Sequence, residues 1–216
     1  MKRIFIVGYG KFGKSALSRI RHRWTKAEVW LIDSRPESLV EGVNKRGSLI
    51  RVVSDGPRFL FENNTAINDT DWVIPALPRH LAFEWLRLNM QTKTAPGILT
   101  PPATLGEGLP FRKIFGRNLY LSYADFVCPD NCPAPPHYCF KTKKVRPIPL
   151  WEGLRAHQGL KGTLAVLESR QLAPGLGGFP FKDLRSILEM ARKTGPPFYL
   201  ATACRCHGVV NGLTWL

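Results

Sequence analysis

Residues Lys2 to Ile20 read KRIFIVGYGKFGKSALSRI, and this stretch decides the fold. Its apolar run, Ile4 to Val7, suits a strand buried on both faces, as in a parallel sheet. The run stops at Gly8-Tyr9-Gly10-Lys11-Phe12-Gly13, and apolar residues return at helical spacing at Ala16, Leu17 and Ile20. Strand, glycine turn and helix follow in order. Gly8 permits the tight turn, Gly10 lets the main chain approach a pyrophosphate, and Gly13 lets the helix pack close to the strand, with its first amides facing the phosphates.

The next apolar segment, AEVWLID, ends at Asp33, twenty residues beyond Gly13. A carboxylate there can accept hydrogen bonds from the adenosine ribose hydroxyls. Asp33 favours NAD, because it repels a ribose phosphate, whereas Arg35 beside it keeps NADP open. SLIRVVSD, ending at Asp55, and DWVIPALP, ending at Pro78, supply two more strands at the expected intervals. The helix after Pro78, RHLAFEWLRLNM, is expected to cover the sheet with Leu81, Phe83, Trp85, Leu86 and Leu88. The pattern is βαβαβ, and the expected fold class is α/β: a Rossmann-like doubly wound parallel sheet with a Cys-rich loop and a smaller C-terminal α/β extension.

FIVGYGKFGKSAL, VWLIDSRPESL and RVVSDGPRFL together resemble the TrkA-N or RCK nucleotide-binding domain over about residues 1–90. The Phe12-Gly13 pair makes the likeness more specific than the glycine pattern alone. The resemblance implies that Gly8, Tyr9, Gly10, Lys11, Phe12 and Gly13 line the phosphates, and that Asp33, Ser34 and Arg35 surround the ribose. It further implies that Asp55, Ala76 and Leu77 border the rest of the dinucleotide.

A second signal lies in "VCPDNCPAPPHYC", Val127 to Cys139. Cys128-x3-Cys132-x6-Cys139 puts three thiols on a proline-rich loop, and Cys204-x-Cys206 with His207 brings two more and an imidazole. In a reducing compartment such bunching points to metal ligands or reactive thiols more than to disulfides, and the odd count of five agrees. Four soft thiolates suit structural zinc or an iron–sulfur cluster. A redox-active thiol pair without metal is the alternative. The candidate metal ligands are Cys128, Cys132, Cys139, Cys204, Cys206 and His207. The two groups are expected to converge near the nucleotide, because Asn118–Val127 and the strand PFYLATA are read as parallel strands ending on one sheet edge.

Between these signals, residues 94–116 are rich in Pro and Gly and read as a loop. TLAVLESRQL (163–172) reads as a strand, APGLGGFP (173–180) as a glycine turn and FKDLRSILEMARKT as an amphipathic helix. The expected division is a dinucleotide-binding domain over 1–125, a Cys/Pro-rich metal loop over 126–149, and an α/β extension over 150–216.

The chain has 216 residues, 44% of them hydrophobic, and 31 Lys plus Arg against 16 acids, a net charge of +15. That charge attracts polyanions. RIRHRWTK (Arg19–Lys26) and KTKKVR (Lys141–Arg146) are the dense groups, and they read as solvated basic surface without a nucleic-acid signature. No apolar run reaches about eighteen residues and the N-terminus has no cleavage site, so a cytoplasmic protein without membrane insertion is expected. Tyr123, His80, His137 and His207 have no acid/base spacing, and no catalytic group is assigned. The sequence therefore reads first as an NAD(P)-binding sensor with a metal centre and second as an NAD(P)-dependent oxidoreductase. A nucleic-acid binder is the third reading, and a homodimer or protein partner is compatible with the first two.

Overall fold

The computed structural model describes residues 3–39, 48–91, 95–146 and 148–215. Alternation along Arg3–Val7 (β1) sets the layering. Ile4 and Ile6 fall on one face and Phe5 and Val7 on the other, all four almost wholly buried. Glu28–Asp33 (β2) and Trp72–Pro75 (β4) flank β1 in parallel, and Leu49–Val53 (β3) pairs in parallel outside β2. Lys11–Arg23 (α1) covers the Ile4 face with Ala16, Leu17 and Ile20. Gly56–Glu62 (α2) and Leu81–Asn89 (α3) cover the Phe5 face, where Trp85 and Phe83 fill the core.

Beyond β4 the sheet becomes antiparallel. Arg170–Ala173 (β9) and Leu176–Pro180 (β10) form a hairpin whose second strand pairs with β4, giving the order β3-β2-β1-β4-β10-β9. A second sheet has the order Phe111–Phe115 (β6), Asn118–Ser122 (β7), His207–Thr214 (β12), Phe198–Ala203 (β11) and Thr163–Glu168 (β8), with Gly97–Leu99 (β5) also pairing with β12. In it, β8 and β11 run parallel and the other pairs are antiparallel. Phe181–Thr194 (α5) lies with α2 and α3 between the sheets, because Phe181, Leu184, Ile187 and Leu188 share one core with Phe5 and Val7 below and Phe198 and Leu200 above. Leu150–Arg155 (α4) covers the outer face of the second sheet with Leu150 and Leu154. The described residues thus form a mixed α/β fold with two mixed sheets and five α-helices, and none of these helices is long and apolar enough to cross a membrane.

Four expectations from the sequence need correction. The segment 94–116, expected as a loop, carries β5 and the exposed edge strand β6 within its described residues. The strand expected over 118–127 stops at Ser122 and runs antiparallel to β6 and β12. The strand expected over 163–172 breaks at Ser169, where the chain leaves one sheet for the other and the Ser169 N–H bonds to the Ala203 carbonyl at 2.8 Å. The segment expected as a glycine turn, 173–180, contains β10. Its glycines are there for closeness: a Cβ on Gly178 would lie 2.8 Å from the Val73 carbonyl oxygen, and one on Gly177 would lie 2.4 Å from Ser169 Oγ. β5–β7 join the second sheet and β9–β10 join the first.

Candidate functional site at the glycine turn and the cysteine loop

The chain leaves β1 through Gly8 at φ +100°, where a side chain would strike the Ala76 carbonyl oxygen at 2.7 Å and the Leu77 side chain at 3.0 Å. Gly13 packs on Gly8 so closely that a Cβ would sit 2.0 Å from the Gly8 carbonyl oxygen. The would-be Cβ of Gly10, in contrast, finds only an Arg35 nitrogen at 4.0 Å. Gly10 is also the N-cap of α1 and offers no side-chain cap, so the first amides of the helix are not covered by a side chain. Phe12 is exposed beside them.

Asp33, at the end of β2, is buried and accepts hydrogen bonds from the Tyr9 N–H (2.7 Å), the Arg35 N–H (2.9 Å) and Arg35 Nε (3.2 Å). Burial pushes its carboxyl up, but these donors outweigh burial and hold it below the ordinary value. Ser34, between them, is exposed. Asp55 caps α2 through the Arg58 N–H at 3.2 Å and pairs with Arg79. Gly8, Tyr9, Gly10, Gly13, Asp33, Arg35, Ala76 and Leu77 are therefore brought together, whereas Asp55 serves the adjoining helix.

The second group forms around a hairpin turn. Cys204-Arg205-Cys206 is the loop between β11 and β12, closed by the Cys204 N–H to the His207 carbonyl at 2.8 Å. Cys204 Sγ accepts the N–H groups of Cys206 (3.4 Å) and His207 (3.3 Å). At Cys139 the Thr142 hydroxyl, and after it the N–H groups of Thr142 and Lys141, act on the thiol. In both, burial pushes the thiol up, but neighbouring donors outweigh it and hold it below the ordinary value; at Cys204 these are first the His207 ring and then the N–H groups of Cys206 and His207. Cys206 differs. It is buried, and burial pushes it up to about 12.

The His207 ring joins the two groups, with Nε2 3.3 Å from Cys128 Sγ and Nδ1 3.7 Å from Cys204 Sγ. Burial, with neighbouring Cys132, Cys139 and Cys204, raises the Cys128 thiol. The ring thus brings Cys128 and Cys204 near each other, by a route other than the expected pair of parallel strands. The antiparallel β7 does not deliver Cys128 directly. The loop after it is fastened to the hairpin by the Tyr123 N–H to the Cys206 carbonyl at 2.9 Å. Among the described residues no three Cys, His, Asp or Glu side chains are gathered as a preformed metal-binding group. The thiol and imidazole donors nevertheless suit a thiophilic metal.

The same loop reaches the glycine turn. The Asp130 carboxylate pairs with Lys11 at 3.4 Å and the Asp130 carbonyl accepts from Arg19 at 3.0 Å, while the Cys132 carbonyl accepts from the Gly175 N–H (2.7 Å) and Gln171 Nε2 (2.8 Å). The ion pair is solvent-exposed and is worth less than about 1 kcal/mol. The bonds to main-chain carbonyls fix the loop against α1 and the β9–β10 hairpin. Sequence reasoning missed Asp130, Arg19 and Gln171, since nothing in the chain's local pattern marks contacts between segments so far apart.

Residues 82–216 match the family described as "Uncharacterized protein, C-terminal domain", and the chain belongs to it. All five cysteines fall inside the matched region. A relative from Archaeoglobus fulgidus, described as "Uncharacterized protein", is 32% identical over 225 residues, covering 96% of this chain and 97% of its own length. No solved structure matches the chain.

Proposed function

We propose that this protein binds a dinucleotide, NAD or NADP, over Gly8–Gly13 and holds a cysteine-ligated metal centre, zinc or an iron–sulfur cluster, against that site as a nucleotide- and redox-sensing module. The observation that carries the reading is the fastening of the Cys128–Cys132 loop, through Asp130, to Lys11 of the glycine turn and Arg19 of its helix. Support for the nucleotide half comes from four parallel strands in the order β3-β2-β1-β4, the Rossmann-like arrangement that the TrkA-N/RCK resemblance implies, with the glycine turn at the carboxyl end of β1. The open space above Gly10 and the acceptor Asp33 add to it. Arg35, bonded to Asp33 beside that space, leaves NADP as compatible as NAD.

Cys139 and Cys204, with their amide donors, and Cys128 and Cys132 on the fastened loop are the ligands that would hold the metal. Cys206, buried and held as a neutral thiol, is the weaker ligand, and His207 stands beside Cys128 and Cys204 to orient them or to replace one. The metal would supply either a fixed cross-link between the loop and the hairpin or a one-electron centre. A second reading, an NAD(P)-dependent oxidoreductase that couples the nucleotide to a cluster or to a Cys128–Cys204 thiol pair, is favoured by the single imidazole between these two sulfurs. Anaerobic purification with elemental analysis and visible absorption, followed by calorimetry with NAD(H) and NADP(H), tests the proposal. About one zinc per chain or a cluster absorption, together with dinucleotide binding, is expected. Metal-free protein that binds no dinucleotide at millimolar concentration overturns it.

A further inference from the structure

A cavity of about 320 Å³ lies on the outer face of the second sheet, between α4 and the turns of residues 104–109. Leu109, Leu150 and Leu154 give it an apolar lining, and the side chains of Thr104, Glu107, Tyr123 and His157 border it. Both walls are fixed before any ligand arrives. On one side Leu105 is buried in the core, a Cβ on Gly106 would lie 2.4 Å from the Leu121 side chain, and Arg112 Nε donates to the Leu105 carbonyl at 3.0 Å. On the other, Leu150 and Leu154 anchor α4 in the same core, and the Leu150 N–H donates to the Arg205 carbonyl at 3.0 Å.

Gly153 lies inside α4, where glycine weakens a helix. No backbone crowds it: a Cβ there would meet the flexible end of Ile148 at 3.2 Å and the Tyr123 hydroxyl oxygen at 3.8 Å. What the missing side chain leaves is room over that hydroxyl. Tyr123 is half-buried, yet no hydrogen bond engages its hydroxyl, and none engages the side chains of His157, Thr104 or Glu107. An apolar lining with a few polar groups not spent on the fold is what a small-molecule site presents.

The sign of the ligand follows from the lining. No Lys or Arg borders the cavity, in a chain that has 31 of them, and the Glu107 carboxylate has no ion-pair partner. Arg146 acts on Tyr123, but it is buried, donates to the Pro135 and Tyr138 carbonyls and does not line the cavity. The rest of the chain's positive charge is screened beyond about 8 Å at physiological salt, so the nearest charge, Glu107, decides.

We infer that this cavity binds a small organic amine, its ammonium group at Glu107 and its apolar body against Leu109, Leu150 and Leu154. The inference stands on the cavity alone and requires neither a dinucleotide nor a metal.

Benzylamine, benzyl alcohol and benzoate, titrated into the full-length chain at near-neutral pH and physiological salt with ligand-observed NMR as the readout, test it. Benzylamine is expected to bind about three- to fivefold more tightly than benzyl alcohol, the difference that one exposed ion pair gives, and benzoate most weakly. Glu107→Gln should erase the preference for the amine over the alcohol, and Gly153→Leu, which fills the space over Tyr123, should weaken the amine at least about tenfold. Glu107 is exposed, so Glu107→Gln keeps the fold and decides the matter even where Gly153→Leu lowers the thermal midpoint. No benzylamine binding at about 10 mM, equal binding of amine and alcohol by the wild type, or an amine preference that survives Glu107→Gln overturns the inference. Undiminished binding by a Gly153→Leu protein with an unchanged thermal midpoint overturns it equally, because it places the amine elsewhere.

Discussion

Acidification should weaken this fold through one buried imidazole. His80, at the start of α3, lies between the two sheets, with Nδ1 2.8 Å from Asn211 Oδ1 on β12 and Nε2 2.7 Å from Thr202 Oγ1 on β11. The amide oxygen of Asn211 can only accept, so Nδ1 carries the proton and Nε2 accepts from the threonine hydroxyl. Asn211 is held in turn, donating to the Arg117 carbonyl and Asn118 Oδ1. The ring is satisfied while neutral, and a second proton would put a charge where water is excluded. Burial lowers its pKa from 6.5 to about 4, against a smaller upward pull from Asn211. The folded pKa lies below the unfolded one, so the unfolded chain takes up the proton first. Stability should be level above about pH 6.5, fall as pH drops from there to about 4, and lose about 3 kcal/mol in all. That is a large part of the 5–15 kcal/mol typical of a domain. Urea unfolding followed by circular dichroism at several pH values measures the fall, and His80→Gln, which has no titrating group, should remove it. The lowered Asp33 carboxyl adds its own acid loss only as pH falls through the carboxylate range, below most of this window. If His80→Gln shows the same fall between pH 6.5 and 4 as wild type, the buried-imidazole reasoning is refuted.

Gly10→Val should abolish dinucleotide binding in calorimetry, because it fills the open space above the turn, whereas Asp33→Ala should mainly shift the preference towards NADP. Gly178→Ala should lower the urea midpoint by the equivalent of about 2 kcal/mol or more, since its Cβ would force β10 away from the Val73 carbonyl; an unchanged midpoint would show that the two strands separate freely. Cys139→Ser and Cys204→Ser should each cut bound metal, measured by elemental analysis of anaerobically purified protein, by at least about half. Cys206→Ser should leave it nearly unchanged, and equal losses in all three would remove the distinction drawn between the amide-supported sulfurs and the buried thiol.

The first four strands were legible because each carries its own evidence: apolar runs of the right length, a turn whose glycines admit one local geometry, and Asp33 closing the second strand. What the sequence did not disclose was partnership. The glycines of β10 point to a turn, and only the three-dimensional neighbours, Val73 beside Gly178 and Ser169 beside Gly177, explain why glycine is required there. The orientation of β7 was equally hidden, since an alternating strand looks the same whether its neighbour runs parallel or antiparallel. Ser169, where the chain changes sheets, carries no local sign at all.

The candidate site divides in the same way. The spacing of Cys128, Cys132, Cys139, Cys204 and Cys206 marked them as a constellation, yet spacing does not distinguish a sulfur that amides support from one that is simply buried. Cys204 and Cys206 are two residues apart, and their thiols are driven in opposite directions. The difference comes from the hairpin turn: its geometry sets the His207 ring and two main-chain N–H groups against Cys204 and leaves Cys206 buried. Asp130 makes the point from the other side. Read alone it is a polar residue in a proline-rich loop, but its carboxylate and carbonyl meet Lys11 and Arg19, and through them a glycine turn and a cysteine cluster that are distant in sequence become neighbours. On the proposed reading, coupling between nucleotide and thiols would run through that contact, where the loop bearing Cys128 and Cys132 touches the helix that follows the glycine turn.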